Sequence, residues 1–426
     1  MNSSHIKVDN PDLDLLARRK FLTESWKPYP SYVKTNGSVV GRITAFTKGG
    51  FYIYGESHLF PLFGKDLSPW AKILTLGDIV AFEKSEQYFK NFTLLTAQVL
   101  EDKNDTAYFQ ELTKKRKNHL KWIQFLSDVQ NFFLMKDFIQ AQTPSLVDCP
   151  GTEPTLDPFF TDFNLGSKKY SKTLPTSPEL HLKKLLTAGY ENIFELKNCF
   201  RNNEITEIHQ PEFTMLEWYR SYSLLGDIEV DVVELISRLD TQKKFTVVER
   251  FSVSQLFEKY ADFKLKPETS IEELKSLCGS LGIANSTNDS WNDLFHRVWV
   301  EKVDPYLKNH PFLMVNQYPP SQAALAKIGA FGWAERFEIY LNGVEIANAF
   351  LELNDPAIQK ERFEKDLEEK SRMGKTSILL DAQFMKALEY GMPPAAGIAL
   401  GVDRLFMVTA GFKSITDFKL FPISAP

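Results

Sequence analysis

Three stretches of this chain carry side chains suited to one chemistry, the handling of a polyphosphate. The first is CFRNNEITEIHQPEFTMLEWYR, residues 199–220. Phe200-Arg201 closes one strand-like run, and from Glu212 the next run alternates Phe213, Met215 and Glu217 on one face with Thr214, Leu216 and Trp218 on the other. Arg201 and His209 then stand at the two ends of a hairpin loop. A guanidinium fork binds two phosphate oxygens at once, and neither it nor the imidazole should lose charge on binding. Phe213 offers a flat apolar face for a base. A surface hairpin in which Arg201 pairs with Glu204 or Glu207 accounts for the same residues.

The second stretch, WAERFEIYLNGVEIANAFLELND at 333–355, repeats a glutamate every seven positions, Glu338, Glu345 and Glu352, with Asn348 between the last two. An Asn342-Gly343 turn joining two antiparallel strands should bring Glu338 and Glu345 close, as two hard oxygen ligands for Mg²⁺. Their neighbours Phe337, Ile339, Ile346, Ala347, Phe350 and Leu351 are apolar, poor surroundings for carboxylates without partners. The third stretch, PPAAGIALGVDRLFMVTAG at 393–411, is a small-residue strand ending at Gly401, then Asp403-Arg404 and an apolar helix. Backbone can approach a ligand closely there, and Arg404 can stack on a base or contact phosphate; plain strand-to-helix packing explains the same pattern. Together the three imply an ATP site.

Elements must position these residues. From about residue 110 onward, helical segments (179–188, 223–239, 271–281, 291–306, 357–372, 381–389) alternate with extended ones (192–201, 212–222, 312–318, 336–341, 396–401). Short turns between several of them predict antiparallel strands with helices packed around, an α+β layer architecture. Neither common glycine-rich phosphate loop occurs. Residues 38–100 read instead as five short strands, the number of a small OB-like β-barrel. A polar stretch then leads into a long amphipathic helix through Leu120, Trp122, Ile123, Leu126, Val129 and Phe133, placing a domain boundary at 105/106. The basic run KKRKNH at 114–119 reads as a solvated helix face.

Composition sets the outer limits. The chain has 426 residues, 43% hydrophobic and 25% charged, with a net charge of -5, so whole-molecule charge gives no nucleic-acid footprint. Cys149, Cys199 and Cys278 lie far apart without a C-x-x-C pair, which speaks against a disulfide framework or thiolate metal centre and predicts a cytoplasmic protein. No apolar run is long enough for a signal peptide or a membrane span.

In order, spacing and flanking residues, FFLMKDFIQAQTPSLV, FRNNE through HQPEFTMLEWY, and GIALGVDRL resemble the three signature motifs of class II aminoacyl-tRNA synthetases, over about residues 110–426. HQPEFTMLEWY and VEIANAFLELND are similar to the lysyl-tRNA synthetase branch. TSPELHLKKLL, YPPSQAALA and the Ala399 of GIALG are more similar to its tRNA-independent relatives, the elongation factor P lysine ligases. The resemblance implies a six-stranded antiparallel catalytic sheet and a homodimer seated on the first motif. It implies Arg201 on the α-phosphate and substrate carboxylate, His209 on the γ-phosphate, and adenine between Phe213 and Arg404. Asn202, Asn203, Gln210, Ile346 and Gly401 would complete the ATP side, with Mg²⁺ on Glu338 and Glu345. Arg201, Glu345 and Arg404 would be catalytic. Ser177, Pro178 and Glu179 would line the amino-acid side, Glu179 meeting an ammonium, while Tyr219, Asn348 and Glu352 recognise the carboxylate and distal ammonium of lysine or β-lysine. Ala399, with its extra methyl, would favour the β isomer.

Two departures matter. Asn203 stands where the resembled families have glutamate, with Glu204 next to it as a substitute, and Gln210 replaces an asparagine. A candidate barrel, with Phe51, Tyr52, Tyr54 and Phe60, precedes the core, as in lysyl-tRNA synthetases, where an OB-fold reads the anticodon; the elongation factor P ligases lack it. Three readings follow: a lysine or β-lysine ligase acting on elongation factor P, a synthetase charging tRNA, and a catalytically weak binding paralogue.

Overall fold

The computed structural model describes residues 38–47, 50–55, 58–63, 74–84, 89–96 and 106–423. It divides into two compact units, Met1–Leu120 and Lys121–Pro426.

In the first unit, strands β1 (Ser38–Thr47), β2 (Gly50–Gly55), β3 (His58–Phe63), β4 (Ile79–Lys84) and β5 (Phe89–Thr96) form a sheet in the order β3-β2-β1-β4-β5. All neighbours are antiparallel. The five expected strands are present, the last beginning at Phe89 instead of residue 92; its expected continuation past 96 lies outside the described residues, as does the Phe60 side chain. Among the described residues no pairing joins β3 to β5, which stand at the two ends of this strand order. Phe51, Ile53 and Val80 are fully buried, which makes Phe51 core and removes it from any base-stacking surface. Helix α1 (Ala107–Leu134) carries the basic run, and its Arg116 guanidinium lies 4.7 Å from the Tyr54 ring centre. That cation–π contact ties this part of the helix to the strands within the first unit.

The second unit is built on an eight-stranded sheet. Its strands are β6 (Ile139–Gln140), β9 (Asn192–Phe200), β10 (Glu212–Ser221), β11 (Glu249–Ser252), β12 (Phe312–Tyr318), β13 (Ala334–Leu341), β14 (Val344–Leu351) and β15 (Ala395–Gly401). They run in the order β11-β12-β13-β14-β15-β10-β9-β6. The six central strands are antiparallel, as expected, and a short parallel strand is added at each edge. Asn342 and Gly343 take φ of 50° and 81° at the β13–β14 turn, the left-handed pair a two-residue hairpin needs. An exposed hairpin, β7 (Phe160–Leu165) with β8 (Lys168–Thr173), stands apart from this sheet and was not foreseen from sequence.

Alternation along the strands decides what each face does. Leu216, Trp218, Phe337, Ile339, Ile398 and Leu400 point to one face and pack in a single core with Trp122, Val129 and Phe133 of α1. Helices α3 (Leu225–Leu239) and α10 (Val402–Ala410) close the same core through Ile228, Val232, Leu235, Leu405 and Phe406. Burying each large side chain there contributes roughly 1.5–3 kcal/mol. The opposite face is bordered by α2 (Glu179–Thr187), α8 (Pro356–Arg372) and α9 (Ala382–Gly391), whose Leu182, Phe363 and Phe384 are buried together. Helices α4 (Val253–Ala261), α5 (Ile271–Leu281) and α6 (Trp291–Val298) make a further core against Leu313 and Val315. The single helix expected over 291–306 is interrupted: after α6 comes a π-turn, Trp299–Val303, then α7 (Asp304–Leu307). Pro305 has no N–H to give the carbonyl of residue 301, which is the physical reason for the break.

Candidate active site

The sheet register turns separate motifs into rows. Glu217 on β10 opposes Ala399 on β15, which opposes Asn348 on β14, which opposes Glu338 on β13. One step along, Tyr219, Gly397, Phe350 and Arg336 form a parallel row. Residues more than a hundred positions apart thus share one face, and above them lies a cavity of about 370 Å³, the size of a small-molecule site.

Arg201, His209, Gln210, Phe213, Glu345, Ile346, Gly401 and Arg404 all line this cavity, as do Ser177, Glu179, Asn348 and Ala399. Of the other expected residues, Asn202, Asn203, Pro178, Tyr219, Glu352 and Glu338 are not on its wall. Asn202 and Asn203 face outward and are exposed, while Glu204 beside them reaches the cavity. Asn203 has φ 64° and donates to Asp157 Oδ2 at 3.2 Å. Asparagine is among the few residues that tolerate that left-handed conformation, a local reason for it to stand here. Pro178 supplies the N-cap of α2. Gln210 is buried, and its Oε1 accepts from the Ile423 amide at 2.9 Å, so it also holds the C-terminal segment.

At one end of the cavity the side chains are cationic. Arg201 makes no ion pair among the described residues, so its pairing with Glu204 or Glu207 is not realised. Its guanidinium lies 5.1 Å from the Phe213 ring centre, and its Nε is buried without a partner. Arg404 donates to the Glu345 carbonyl at 3.1 Å and to His209 Nε2. Arginine can only donate, so Nε2 accepts and Nδ1–H donates to Thr206 Oγ1 at 2.8 Å. Burial, with Arg404 and Arg201 beside it, pushes the His209 pKa down to about 4. The imidazole is therefore neutral near pH 7, contrary to the charged group expected from sequence.

Glu338 and Glu345 do not meet as a simple hairpin pair. A bulge between Ile339 and Tyr340 sets Glu345 against Tyr340 and Glu338 against Asn348. Both acids do line a second cavity of about 370 Å³, which shares His209, Arg336, Glu345 and Arg404 with the first. Glu338 is occupied: it accepts from Arg336, from Tyr340 and from Tyr318 at 2.6 Å. Glu345 keeps solvent-exposed surface and opens onto both cavities. Desolvation by the protein around it, then the charge of Glu338, raises its pKa to about 7. A cation beside it would relieve both causes, so Glu345 fits Mg²⁺ as it stands, whereas Glu338 must first leave its three donors. No cluster of three or more acidic, histidine or cysteine ligands occurs among the described residues. That suits Mg²⁺, which takes one or two carboxylates together with substrate phosphates.

At the other end the side chains are anionic. Glu179 opens α2, Glu217 stands in the floor, and Glu352 lies just beneath it, 1% exposed. Tyr219 donates to Glu217 Oε2 at 3.0 Å, and Glu217 Oε1 is buried with no partner. Burial, then Glu179, raises the Glu217 pKa well above the carboxylate range, and burial takes Glu352 to about 7 despite the ammonium of Lys183. Lys183 Nζ, fully buried, lies 2.6 Å from both Glu179 and Glu352. Gly397 makes room for this layer: a Cβ there would sit 2.4 Å from the Tyr219 ring and 2.6 Å from Glu352 Oε1.

Sequence reasoning missed Glu217, Lys183 and Arg336. Glu217 was detectable, since it alternates onto the same face as Phe213. Arg336 stands in the row next to that of Glu338, two residues before it on β13, and donates to Asn348 Oδ1 at 3.0 Å, a link that becomes visible only through the register. Lys183 reads as an ordinary solvated helix lysine.

A family model for class II tRNA synthetases (D, K and N) matches residues 103–425. The chain is similar to proteins named elongation factor P–(R)-beta-lysine ligase. The one from Proteus mirabilis is 36% identical over 320 residues, covering 72% of this chain and 95% of that protein. Those from Hamiltonella defensa and Haemophilus influenzae are 34% and 35% identical over 313 residues, with the same shares covered.

Proposed function

The chain belongs to the class II tRNA synthetase (D, K and N) family, and on that premise we propose that it is an ATP-dependent ligase that activates (R)-β-lysine or lysine as an adenylate and transfers it to a lysine of elongation factor P. One observation carries the substrate. Glu179, Glu217 and Glu352 stand about a single internal ammonium, Lys183, and Glu153, whose Oε2 is buried without a partner, lines the same cavity beside Glu179, so carboxylates outnumber cations at this end. A diamino acid brings two ammonium groups. Its arrival favours the ionised forms of Glu217 and Glu352 that burial disfavours. Ala399, between Glu217 and Asn348 in the floor, narrows the slot by a methyl relative to glycine, which supports the β isomer.

The cationic end supports the other half of the reaction. The substrate carboxylate oxygen attacks the α-phosphorus of ATP, the bond to the bridging oxygen breaks, and pyrophosphate leaves with the electron pair. Arg201, with no carboxylate to satisfy, holds the α-phosphate and substrate carboxylate and offsets charge as it develops. Phe213 and Arg404 hold adenine, and His209 donates to a terminal phosphate once that phosphate displaces Arg404 from Nε2 and the proton sits on that nitrogen. Asn202, Asn203, Gln210, Ile346 and Gly401 complete the nucleotide side, while Ser177, Pro178, Tyr219 and Asn348 position the amino acid. Mg²⁺ on Glu345, with Glu338 beside it, would neutralise phosphate charge when bound. Attack of an acceptor lysine amine on the adenylate carbonyl then forms the amide and releases AMP.

Residues 106–426 form the catalytic domain in this reading and residues 1–105 a separate OB-like module. Exposed Ile139, Leu146, Phe163 and Leu165 around the first motif suit a homodimer interface. Three buried free cysteines suit the cytoplasm. Among the described residues no helix is long and apolar enough to cross a membrane. The N-terminal five-stranded sheet favours a second reading, a lysyl-tRNA synthetase. ATP–pyrophosphate exchange with (R)-β-lysine and with lysine, followed by transfer assays on elongation factor P and total tRNA, separates them. Exchange with either diamino acid and labelling of elongation factor P are expected; charging of tRNA with the factor untouched would favour the synthetase, and no exchange would favour a weak binding paralogue.

A further inference from the structure

Lys183 is the most deeply buried cation whose purpose the reaction leaves unstated. Lysine is almost never fully buried unless paired, and here the pairing is double. Helical spacing sets Lys183 one turn after Glu179, with its Nζ 2.6 Å from Glu179 Oε1, and the same Nζ lies 2.6 Å from Glu352 Oε2 at the end of β14. Burial works against its charge, but Glu179 and Glu352 overcome that and raise its pKa above the ordinary lysine value. Its side chain does not reach the cavity wall. It cannot touch a ligand there, yet both carboxylates it grips belong to the ammonium-binding end. Facing the group are Glu179 and Lys183 from α2, Glu217 and Tyr219 from β10, Glu352 after β14 and, from the segment before β7, Glu153 acting on Glu179, with Lys327 acting on Glu352 from farther off.

We propose that Lys183 is a positioning and specificity-determining residue: by tying Glu179 to Glu352 and cancelling one carboxylate charge, it leaves the remaining carboxylates of this end to the ammonium groups of a diamino acid. This rests on the diamino-acid reading above. A plain tie between helix and sheet would stabilise the fold equally well. The two roles differ in what happens to the remaining carboxylates, because removing the cation leaves one more buried negative charge unmet, and their ionised forms become harder to keep.

The test is ATP–pyrophosphate exchange by the full chain, wild type, Lys183→Met and Lys183→Met/Glu179→Gln, with (R)-β-lysine and lysine varied from acid to alkaline pH. For Lys183→Met, the diamino acid KM should rise about tenfold or more, equivalent to ~1.4 kcal/mol, with the ATP KM unchanged. The ascending limb of kcat/KM should move to higher pH. In the double variant, where the net charge of this end is again that of wild type, the limb should return towards wild type while KM stays raised. A folded Lys183→Met enzyme with wild-type KM and an unmoved limb overturns the proposal. If that variant does not fold, the charge-balanced double variant decides: a wild-type KM, or a limb displaced to higher pH, overturns it. Wild-type enzyme without diamino-acid-dependent exchange would refute the functional reading itself, and this proposal with it.

Discussion

At one end of the cavity Arg201 and Arg404 stand with a neutral imidazole and Glu345; at the other, Glu179, Glu217 and Glu352 surround one internal lysine, with Glu153 beside them. The cationic end keeps Arg201 unpaired, so its charge is available to an incoming anion and contributes little to holding the fold. The anionic end is half neutralised from within. Its Lys183 ion pairs are structural as well as functional, and its uncompensated carboxylates take up protons until a ligand arrives. A substitution at the first end should therefore damage turnover alone, and one at the second should damage binding and stability together.

The largest expected effect tests the cationic end. Arg201→Ala should lower pyrophosphate exchange on the order of 10³-fold while the melting temperature hardly moves; a large loss of stability would break the contrast. At the anionic end, Glu352→Gln strips Lys183 of one of its two partners and should cost ~3 kcal/mol in urea unfolding, with a raised diamino acid KM. Gly397→Ala probes the layer between the ends. A new methyl against Tyr219 and Glu352 should cost about 1–3 kcal/mol and raise the amino acid KM without altering that for ATP.

The ends should also titrate in opposite senses. Glu352 holds a proton up to about pH 7 in the folded chain, while an unfolded carboxyl loses it near pH 4.5. Its contribution to stability is thus present in acid and lost as pH rises through that window. His209 refuses a proton down to about pH 4, where an unfolded imidazole takes one near 6.5; its contribution is lost as pH falls. Melting curves across pH should show the alkaline-side loss reduced in Glu352→Gln and the acid-side loss reduced in His209→Asn. The smallest effect belongs to Asn203→Glu: exchange unchanged, and about 1 kcal/mol of stability lost to the left-handed backbone. A marked gain in exchange would instead show that Asn203 limits turnover.

Much of the frame was legible because its signals are local. Alternation marked β10, and the Asn342-Gly343 pair marked the β13–β14 hairpin. The apolar period marked α1. The exposed β7–β8 hairpin escaped because its strands bury nothing, and the π-turn at Trp299–Val303 because a proline near a helix end can be absorbed without ending it. In the site, Arg201, Phe213 and Arg404 line one cavity. Glu338 and Glu345 share the second cavity without opposing each other, since one bulge changes the pairing and no residue type announces it.

The amino-acid sequence by itself determined which side chains exist to meet phosphate and ammonium and which face of each strand they occupy, because periodicity is a property of neighbouring residues. Only the tertiary structure decided which of those charges remain unspent. Whether Arg201 stays unpaired, Glu338 is consumed by Arg336 and two tyrosines, or Lys183 cancels a carboxylate depends on partners far away in the chain, brought within hydrogen-bonding distance by the cross-strand register. Coulombic and desolvation energies act through space at a few ångströms, and sequence separation carries no record of that distance.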